Sequence, residues 1–116
     1  MSEPRYAIQP WGLRSMWVIS LFDLPVHTPK HRKDYTRFRK DLLDDGFTMM
    51  QFSVYTRHCA SFENAEVHIG RMGSKLPPQG EVRFLTITDK QYARIRTFWG
   101  RKRQPSSQPP SQLELF

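Results

Sequence analysis

The residue best placed to do chemistry is Asp23, a carboxylate that directly follows an apolar run. Residues 16–22 are largely apolar and lack the alternation of a half-exposed strand, which predicts a strand buried on both faces. Pro25 removes a backbone N–H and ends the strand pairing. A carboxylate fixed at this point could bind a divalent cation, or it could shape the turn by accepting backbone N–H groups. The residues alone leave both roles open.

The other polar side chains supply no second catalytic group. His27 is expected to be a solvated loop residue, and His31 is expected to pack in the core. His58 and His68 lack the spacing of metal ligands, and Ser53 has no recognisable base to activate it. Nucleophilic catalysis therefore has no support in the sequence.

The elements that must position these groups follow the order β-α-β-(β)-α-β-β. One helix begins at Thr28 and Pro29 and ends at Gly46. A second helix begins at Ser61, has an apolar stripe that extends to Leu76, and is terminated by Gly73 and the Pro77-Pro78 pair. The predicted extended segments are residues 16–23, 47–59 with a bulge or kink near 51–53, 81–88 and 93–99, with a turn at 89–92. This order matches a ferredoxin-like α+β layer, a βαββαβ unit with an additional C-terminal strand.

The first strand also predicts how the sheet is covered. Its apolar side chains point to both faces of the sheet, whereas the two helices can cover only one face. The chain is too short to supply further helices. A homodimer that packs sheet to sheet is therefore the economical solution.

The first helix has two distinct faces. Its apolar stripe consists of His31, Tyr35, Phe38 and Leu42. The cations of the helix are Lys33, Arg37 and Lys40 on the opposite face, with Arg32 and Arg39 on a flank. Such a face is either simply solvated or binds phosphates, and the clustering of the charges favours phosphates.

The charge of the whole chain favours a polyanionic partner. Its 116 residues contain 18 Lys and Arg against 11 Asp and Glu, a net charge of +7. The single cysteine, Cys59, excludes an internal disulfide and a cysteine metal cluster. No apolar run approaches bilayer length, and residues 1–15 lack the apolar segment of a signal peptide, so we expect a cytoplasmic protein.

Four stretches together resemble the small subunit of the CRISPR adaptation complex, the partner of the CRISPR integrase, a family also described as a CRISPR-associated endoribonuclease. They are Phe22-Asp23-Leu24-Pro25, the basic first helix, Gln51-Phe52-Ser53-Val54-Tyr55 and residues 82–92. The resemblance covers about residues 16–100, which form the predicted domain, and Phe22 stands where the family often has tyrosine.

The resemblance implies a ferredoxin-like homodimer whose final strand pairs with the neighbouring protomer. The dimer would lie between two integrase dimers and hold a short DNA duplex before its insertion as a new spacer. Metal-dependent cleavage of RNA or DNA is also attributed to the family. Asp23 matches the proposed metal ligand, and a twofold axis would bring a second Asp23 to a shared Mg²⁺ site.

The expected nucleic-acid surface combines Arg32, Lys33, Arg37 and Lys40 with Arg14, Arg94 and Arg96. Phosphate contacts from these residues would make binding nearly sequence-blind and strongly salt-sensitive. The first hypothesis is a duplex-DNA-binding scaffold subunit of CRISPR adaptation. The alternative is a metal-dependent endonuclease that acts alone. An RNA-recognition module is disfavoured, because no strand shows the exposed aromatic signature on which such modules stack bases.

Residues 1–15 and 101–116 differ in composition from the domain between them. The first segment reads as an irregular extension, and the second as a flexible tail that is basic and rich in proline. The tail ends in a peptide formed by Gln112, Leu113, Leu115 and Phe116 around Glu114. This peptide looks like those that bacterial proteins use to bind the DNA sliding clamp. Docking on the integrase as an added strand, or no function at all, are the alternatives.

Overall fold

A computed structural model describes residues 14–100 of the chain. Its elements are β1 (Met16–Asp23), α1 (Pro29–Asp44), β2 (Thr48–Gln51), β3 (Val54–Cys59), α2 (Phe62–Gly73), β4 (Glu81–Thr88) and α3 (Asp89–Ala93). Most of the predicted N-terminal extension and the whole predicted tail, with Gln112, Leu113, Leu115 and Phe116, lie outside the described residues. Within residues 14–100, no helix is both long enough and apolar enough to cross a bilayer.

The four strands form one antiparallel sheet in the order β2-β3-β1-β4. β1 therefore lies between two neighbours, which explains why its sequence is apolar on both faces. Helix α1 connects β1 to β2, and helix α2 connects β3 to β4, which is the βαββαβ arrangement of a ferredoxin-like layer. The predicted α+β, ferredoxin-like fold is confirmed.

The inner face of the sheet packs against α1 and α2. Alternate residues of β1 point to this face, and Val18, Ser20 and Phe22 are buried there. The core cluster consists of Met16, Val18, Phe22, Leu24, Phe38, Leu42, Phe47, Tyr55, Cys59, Ala65 and Met72. Burial of each large apolar side chain contributes roughly 1.5–3 kcal/mol, so this cluster is the main source of stability.

The outer face of the sheet carries the remaining side chains of β1, which are Trp17, Ile19, Leu21 and Asp23. The cross-strand neighbours of Ile19 are Thr56 on β3 and Leu85 on β4. Leu21 is 39 % exposed and Leu85 is 51 % exposed. The second face is therefore largely apolar and only partly covered, as the sequence of β1 predicts. The expectation that the chain supplies no further helix is wrong, because residues 89–93, predicted in part as a turn, form α3, which packs on Trp17 of this face.

Helix α1 begins and ends where its sequence predicts. The hydroxyl of Thr28 accepts a hydrogen bond from the N–H of His31 at 3.0 Å, and Pro29 opens the helix. Asp45 caps the other end, and Gly46 has a φ of +98°, a conformation that favours glycine.

The extended run predicted over residues 47–59 as one kinked strand is a hairpin instead. β2 and β3 pair antiparallel around the turn Phe52-Ser53, and the register shifts between Met49 and Gln51, just before the segment 51–53 where a bulge or kink was predicted. Ser53 has a φ of +64° in this turn. Glycine or asparagine ordinarily marks such a position, and its absence hid the turn from sequence reasoning.

The last predicted strand, residues 93–99, is not a strand in the single chain. Ala93 ends α3, and residues 95–100 lie in no helix or strand. A strand needs the hydrogen bonds of a neighbouring strand, and no strand of residues 14–100 pairs with this segment.

Candidate functional site

The carboxylate of Asp23 lies at the end of β1, exposed on the outer face of the sheet. Its cross-strand neighbour on β4 is Glu81, so two acidic residues share this end of the sheet. Like charges at opposing positions destabilise a sheet. Arg83 donates a hydrogen bond to Glu81 at 2.7 Å and offsets part of this repulsion. The result is an exposed group of carboxylate oxygens with one cation beside it.

The backbone around Asp23 is held from both sides. On the β3 side, the N–H of Phe22 donates to the carbonyl of Ser53 at 3.1 Å. On the β4 side, Gly80 has a φ of +100°, and a Cβ added there would lie 2.7 Å from the Asp23 carbonyl oxygen and 2.6 Å from Leu24 Cδ2. Only glycine fits at position 80, so the turn into β4 packs directly against the backbone of Asp23 and Leu24.

The side chain of Asp23 does not shape this turn. Its carboxylate accepts no hydrogen bond from any residue between 14 and 100, so the turn role that the sequence left open is not found there. The carboxylate is therefore available to a ligand from solvent.

Ser53 links the same end of the sheet to α1. Its hydroxyl lies 3.1 Å from the hydroxyl of Tyr35, and the neighbouring Phe52 ring stacks on Tyr35 with ring centroids 5.9 Å apart. Tyr35 also packs on Phe22 with centroids 5.8 Å apart. Within the described part of the chain no base contacts the Ser53 hydroxyl, so Ser53 fixes the hairpin turn.

Asp23 suits a hard divalent cation by its chemistry, but one chain supplies few ligands. Mg²⁺ prefers oxygen ligands and combines about one or two carboxylates with waters and phosphate oxygens. In residues 14–100 no three His, Cys, Asp or Glu side chains converge to hold a metal ion. A cation at Asp23 would therefore draw its other ligands from water, from phosphate oxygens and from a second copy of the chain.

Four of the predicted phosphate-binding cations lie on α1. Lys33 and Arg37 are exposed, and neither forms an ion pair with a residue that the structure describes. Arg32 donates to a carbonyl of the preceding loop at 3.1 Å. Lys40 pairs with Asp44 at 2.8 Å, and the hydrogen bond to that carboxylate raises the pKa of Lys40. Exposed pairs of this kind are weak, so Lys40 can exchange its partner for a phosphate.

The other three predicted cations, Arg14, Arg94 and Arg96, lie around α3. Arg14 precedes Ser15, whose carbonyl accepts a hydrogen bond from the first residue of α3, and Arg94 caps the end of that helix. Helix α3 contacts Trp17 on the outer face, whereas α1 packs on the inner face. The structure thus divides the seven cations into two groups on opposite sides of the sheet.

The histidines follow the sequence-based expectation only in part, because His31 was expected in the core but is half-buried, and its Nδ1 has no hydrogen-bond partner in the described part of the chain. His27 and His58 are exposed, and His31 is partly buried on α1. His68 is buried, and its Nδ1 lies 2.8 Å from a carboxylate oxygen of Asp45. Sequence reasoning missed this pair, although the place of His68 on the apolar stripe of α2 was a signal that it is buried.

Asp45 ties the end of α1 to α2 and β3. Arg71 donates to its carboxylate at 2.6 Å, and Arg57 Nε donates to its carbonyl at 2.8 Å. Burial alone would raise the pKa of the Asp45 carboxyl, but the hydrogen bonds from Arg71 and His68 outweigh burial and lower this pKa. The Asp45 carboxylate is thus fully engaged inside the protein, and its role is structural.

Comparison with known proteins identifies relatives along nearly the whole domain. The model of a family described as CRISPR associated protein Cas2 matches residues 16–95. The CRISPR-associated endoribonuclease Cas2 of Parvibaculum lavamentivorans is 71% identical over 101 residues, which are 87% of this chain and 100% of that protein. The protein of the same name from Flavobacterium psychrophilum is 52% identical over 103 residues, 89% of this chain and 90% of its own length.

Two solved structures resemble the fold. The crystal structure of Streptococcus pyogenes Cas2 at pH 6.5 has a TM-score of 0.55 at 20% sequence identity and covers 72% of this chain and 99% of that chain. A second structure, described as a crystal structure of cas2, has a TM-score of 0.54 at 20% identity and covers 82% of this chain and 98% of that chain. At this identity the likeness concerns the fold alone.

Proposed function

Because this chain belongs to the Cas2 family of CRISPR-associated proteins, we propose that it is a homodimeric subunit of CRISPR adaptation that binds short duplex DNA. In this role the dimer bridges integrase dimers and holds the duplex for insertion as a new spacer, largely without sequence specificity. The observation that supports the proposal is that two different surfaces lie on opposite sides of the sheet. The cationic side of α1 lies on one side of the sheet, and the apolar outer face lies on the other.

The outer face supports self-association. Leu21 and Leu85 remain exposed on this face beside Ile19 and Val54, and Arg83 is the cross-strand neighbour of Leu21. A contiguous apolar patch on a small domain is ordinarily an interface. A twofold axis would let this patch cover its own copy, and α1 would then lie on the outside of the dimer.

The free edge of β4 offers a second contact between copies. β4 has eight residues that pair in unbroken register with β1, and its other edge has no partner strand in the sheet of residues 14–100. The opposite edge strand, β2, has four residues and a bulge, which makes it a poorer template. Residues 95–100 of a neighbouring copy could add to the β4 edge, in agreement with the predicted final strand.

Helix α1 supplies the proposed DNA surface. Lys33 and Arg37 lie one turn apart on the same side of the helix, so they present two charges side by side to solvent. Contacts of this kind displace the counterions of DNA, so affinity falls steeply as salt concentration rises. They read no base edges, which is consistent with a protein that accepts duplexes of any sequence.

The substitution Arg37→Glu tests this surface in the full chain. It should weaken binding of a labelled duplex at least about tenfold at low salt, because it removes one phosphate contact and adds a repulsion. Fluorescence anisotropy measures the change. The control is Lys75→Glu, which makes the same charge change at an exposed position after α2. This variant should lose less than about threefold in duplex affinity. An equal loss of duplex affinity in both variants, or unchanged affinity in Arg37→Glu, would show that α1 is not the DNA-binding surface.

The alternative proposal is a metal-dependent endonuclease, which the name of the relatives and the exposed Asp23 favour. Bound Mg²⁺ would polarise a phosphodiester and activate water. The chain's own contribution would be the Asp23 carboxylate from both protomers as ligand, with Arg83 close enough to the same end of the sheet to attract a phosphate. Duplex binding and hydrolysis are separable activities, and the Asp23 side chain distinguishes them.

A further proposed contact concerns the tail peptide formed by Gln112, Leu113, Leu115 and Phe116. We propose that it binds the DNA sliding clamp, because two leucines and a terminal phenylalanine can bury enough apolar surface for a weak peptide contact. Strand addition to the integrase is the competing role. Titration of a labelled tail peptide against each purified partner separates the two.

A further inference from the structure

Helix α3 is held on the outer face of the sheet by Trp17. The helix has only five residues, too few to be stable without tertiary contacts. The indole N–H of Trp17 donates to the carboxylate of Asp89 at 2.7 Å. The indole ring also stacks on Tyr92 with centroids 3.7 Å apart and planes 4° from parallel. One side chain of the central strand thus contacts both the first and the fourth residue of α3.

Further contacts fix the start of α3. Thr88 and Gln91 form a reciprocal cap, with hydrogen bonds of 3.1 Å and 2.9 Å between the side chain of each and the backbone N–H of the other. The N–H of Asp89 points to the carbonyl of Ser15 at 3.4 Å, and His58 Nε2 lies 3.5 Å from the Asp89 carboxylate. Both β1 and β3 therefore contribute to holding this short helix.

The end of α3 sets the direction in which the chain continues. The N–H of Ile95 still donates to the carbonyl of Tyr92 at 3.1 Å, so the second residue after the helix is tied to it. Beyond this point residues 95–100 form no helix or strand, and Phe98 is 80 % exposed. A rigid anchor is thus followed directly by a segment that makes no ladder in its own chain.

We propose that Trp17, Asp89 and Tyr92 form a positioning cluster for self-association. The cluster fixes the exit of the chain from α3, so that residues 95–100 are presented to the β4 edge of a second copy. This inference rests on the proposed homodimer and adds the side chains that prepare the chain for it. If α3 were not held in place, residues 95–100 would lose more conformational entropy when the dimer forms, and the dimer would be weaker.

The test is Asp89→Ala in the full chain, which removes the acceptor of the Trp17 N–H and leaves the stacked rings in place. The dissociation constant of the dimer, measured by analytical ultracentrifugation, should rise about tenfold. The same substitution is then made in a chain carrying Arg96→Pro and Thr97→Pro. Two adjacent prolines remove backbone donors on both sides of the segment and abolish strand addition. In that background Asp89→Ala should change the dissociation constant less than about twofold.

Three results would overturn the inference. One is an unchanged dissociation constant of the dimer in the Asp89→Ala variant. Another is an equal rise in the dissociation constant with and without the two prolines, which would place Asp89 in the interface itself. The third is a native chain that stays monomeric, which would refute the proposed homodimer along with the positioning role. Tyr92→Leu, which removes the stack and keeps the hydrogen bond, should behave like Asp89→Ala. Thermal unfolding of each variant shows whether the domain remains folded.

Discussion

Asp23 combines an accessible carboxylate with a fixed backbone. The hydrogen bond from Phe22 to Ser53 and the close approach of Gly80 hold the chain on either side of it. No residue between 14 and 100 uses the carboxylate as an acceptor. Because the side chain faces the apolar outer face, a sheet-to-sheet dimer would bring two Asp23 carboxylates toward the same interface.

The substitution Asp23→Asn separates the scaffold from the nuclease. It keeps the size of the side chain and removes a charge on the outer face, whereas Lys33 and Arg37 lie on α1, so duplex affinity should stay within about twofold of the native value. Binding is measured by anisotropy, and hydrolysis by gel assay of RNA and DNA with added Mg²⁺. Glu81→Gln is the matched control at the opposing position on β4. Mg²⁺-dependent hydrolysis by the native chain that is lost in Asp23→Asn and kept in Glu81→Gln would favour the nuclease, whereas loss of duplex binding in Asp23→Asn would contradict the separation of the two activities.

The turn that leads into β4 depends on one glycine. Gly80→Ala would place a methyl group against the Asp23 carbonyl and the Leu24 side chain at a φ of +100°. We expect a loss of about 2–4 kcal/mol in the free energy of unfolding, measured with urea. Gly70→Ala is the control, because Gly70 lies in α2 and an added Cβ there would have no atom within 4 Å. The free energy of unfolding of this variant should rise by about 1 kcal/mol. A neutral Gly80→Ala would show that the turn is not constrained as described.

Local signals at the level of elements were sufficient for most of the fold. Thr28, Pro29 and Gly46 defined α1 because capping and φ preferences act over a few residues. The turn at Ser53 was hidden because tertiary contacts, such as the Tyr35 hydroxyl, hold a serine at positive φ. The predicted strand over residues 93–99 is wrong for the single chain, because extended composition alone does not supply the neighbouring strand that a ladder needs.

The candidate site was predictable in part. The position of Asp23 followed from the end of an apolar run, which the sequence shows directly. Its pairing with Glu81 depends on strand register, and the grouping of cations depends on which side of the sheet α1 and α3 occupy. Both are long-range properties that a single sequence does not display.

The two sides of the sheet have different proposed tasks in the whole molecule. The proposed dimer interface consists of the outer face, α3 and residues 95–100. The cations of α1 lie on the other side and point away from that interface. Duplex binding and dimer formation should therefore be separable by mutation, since Arg37→Glu leaves the outer face intact.

The most direct test of this account is the mass of the complex between the purified chain and a labelled duplex at low ionic strength. Sedimentation velocity with separate signals for protein and DNA gives both the oligomeric state and the stoichiometry. We expect a dimer without DNA, a whole number of dimers on each duplex, and dissociation from DNA as salt is raised. A chain that sediments as a monomer and leaves the duplex free at low salt would contradict the account.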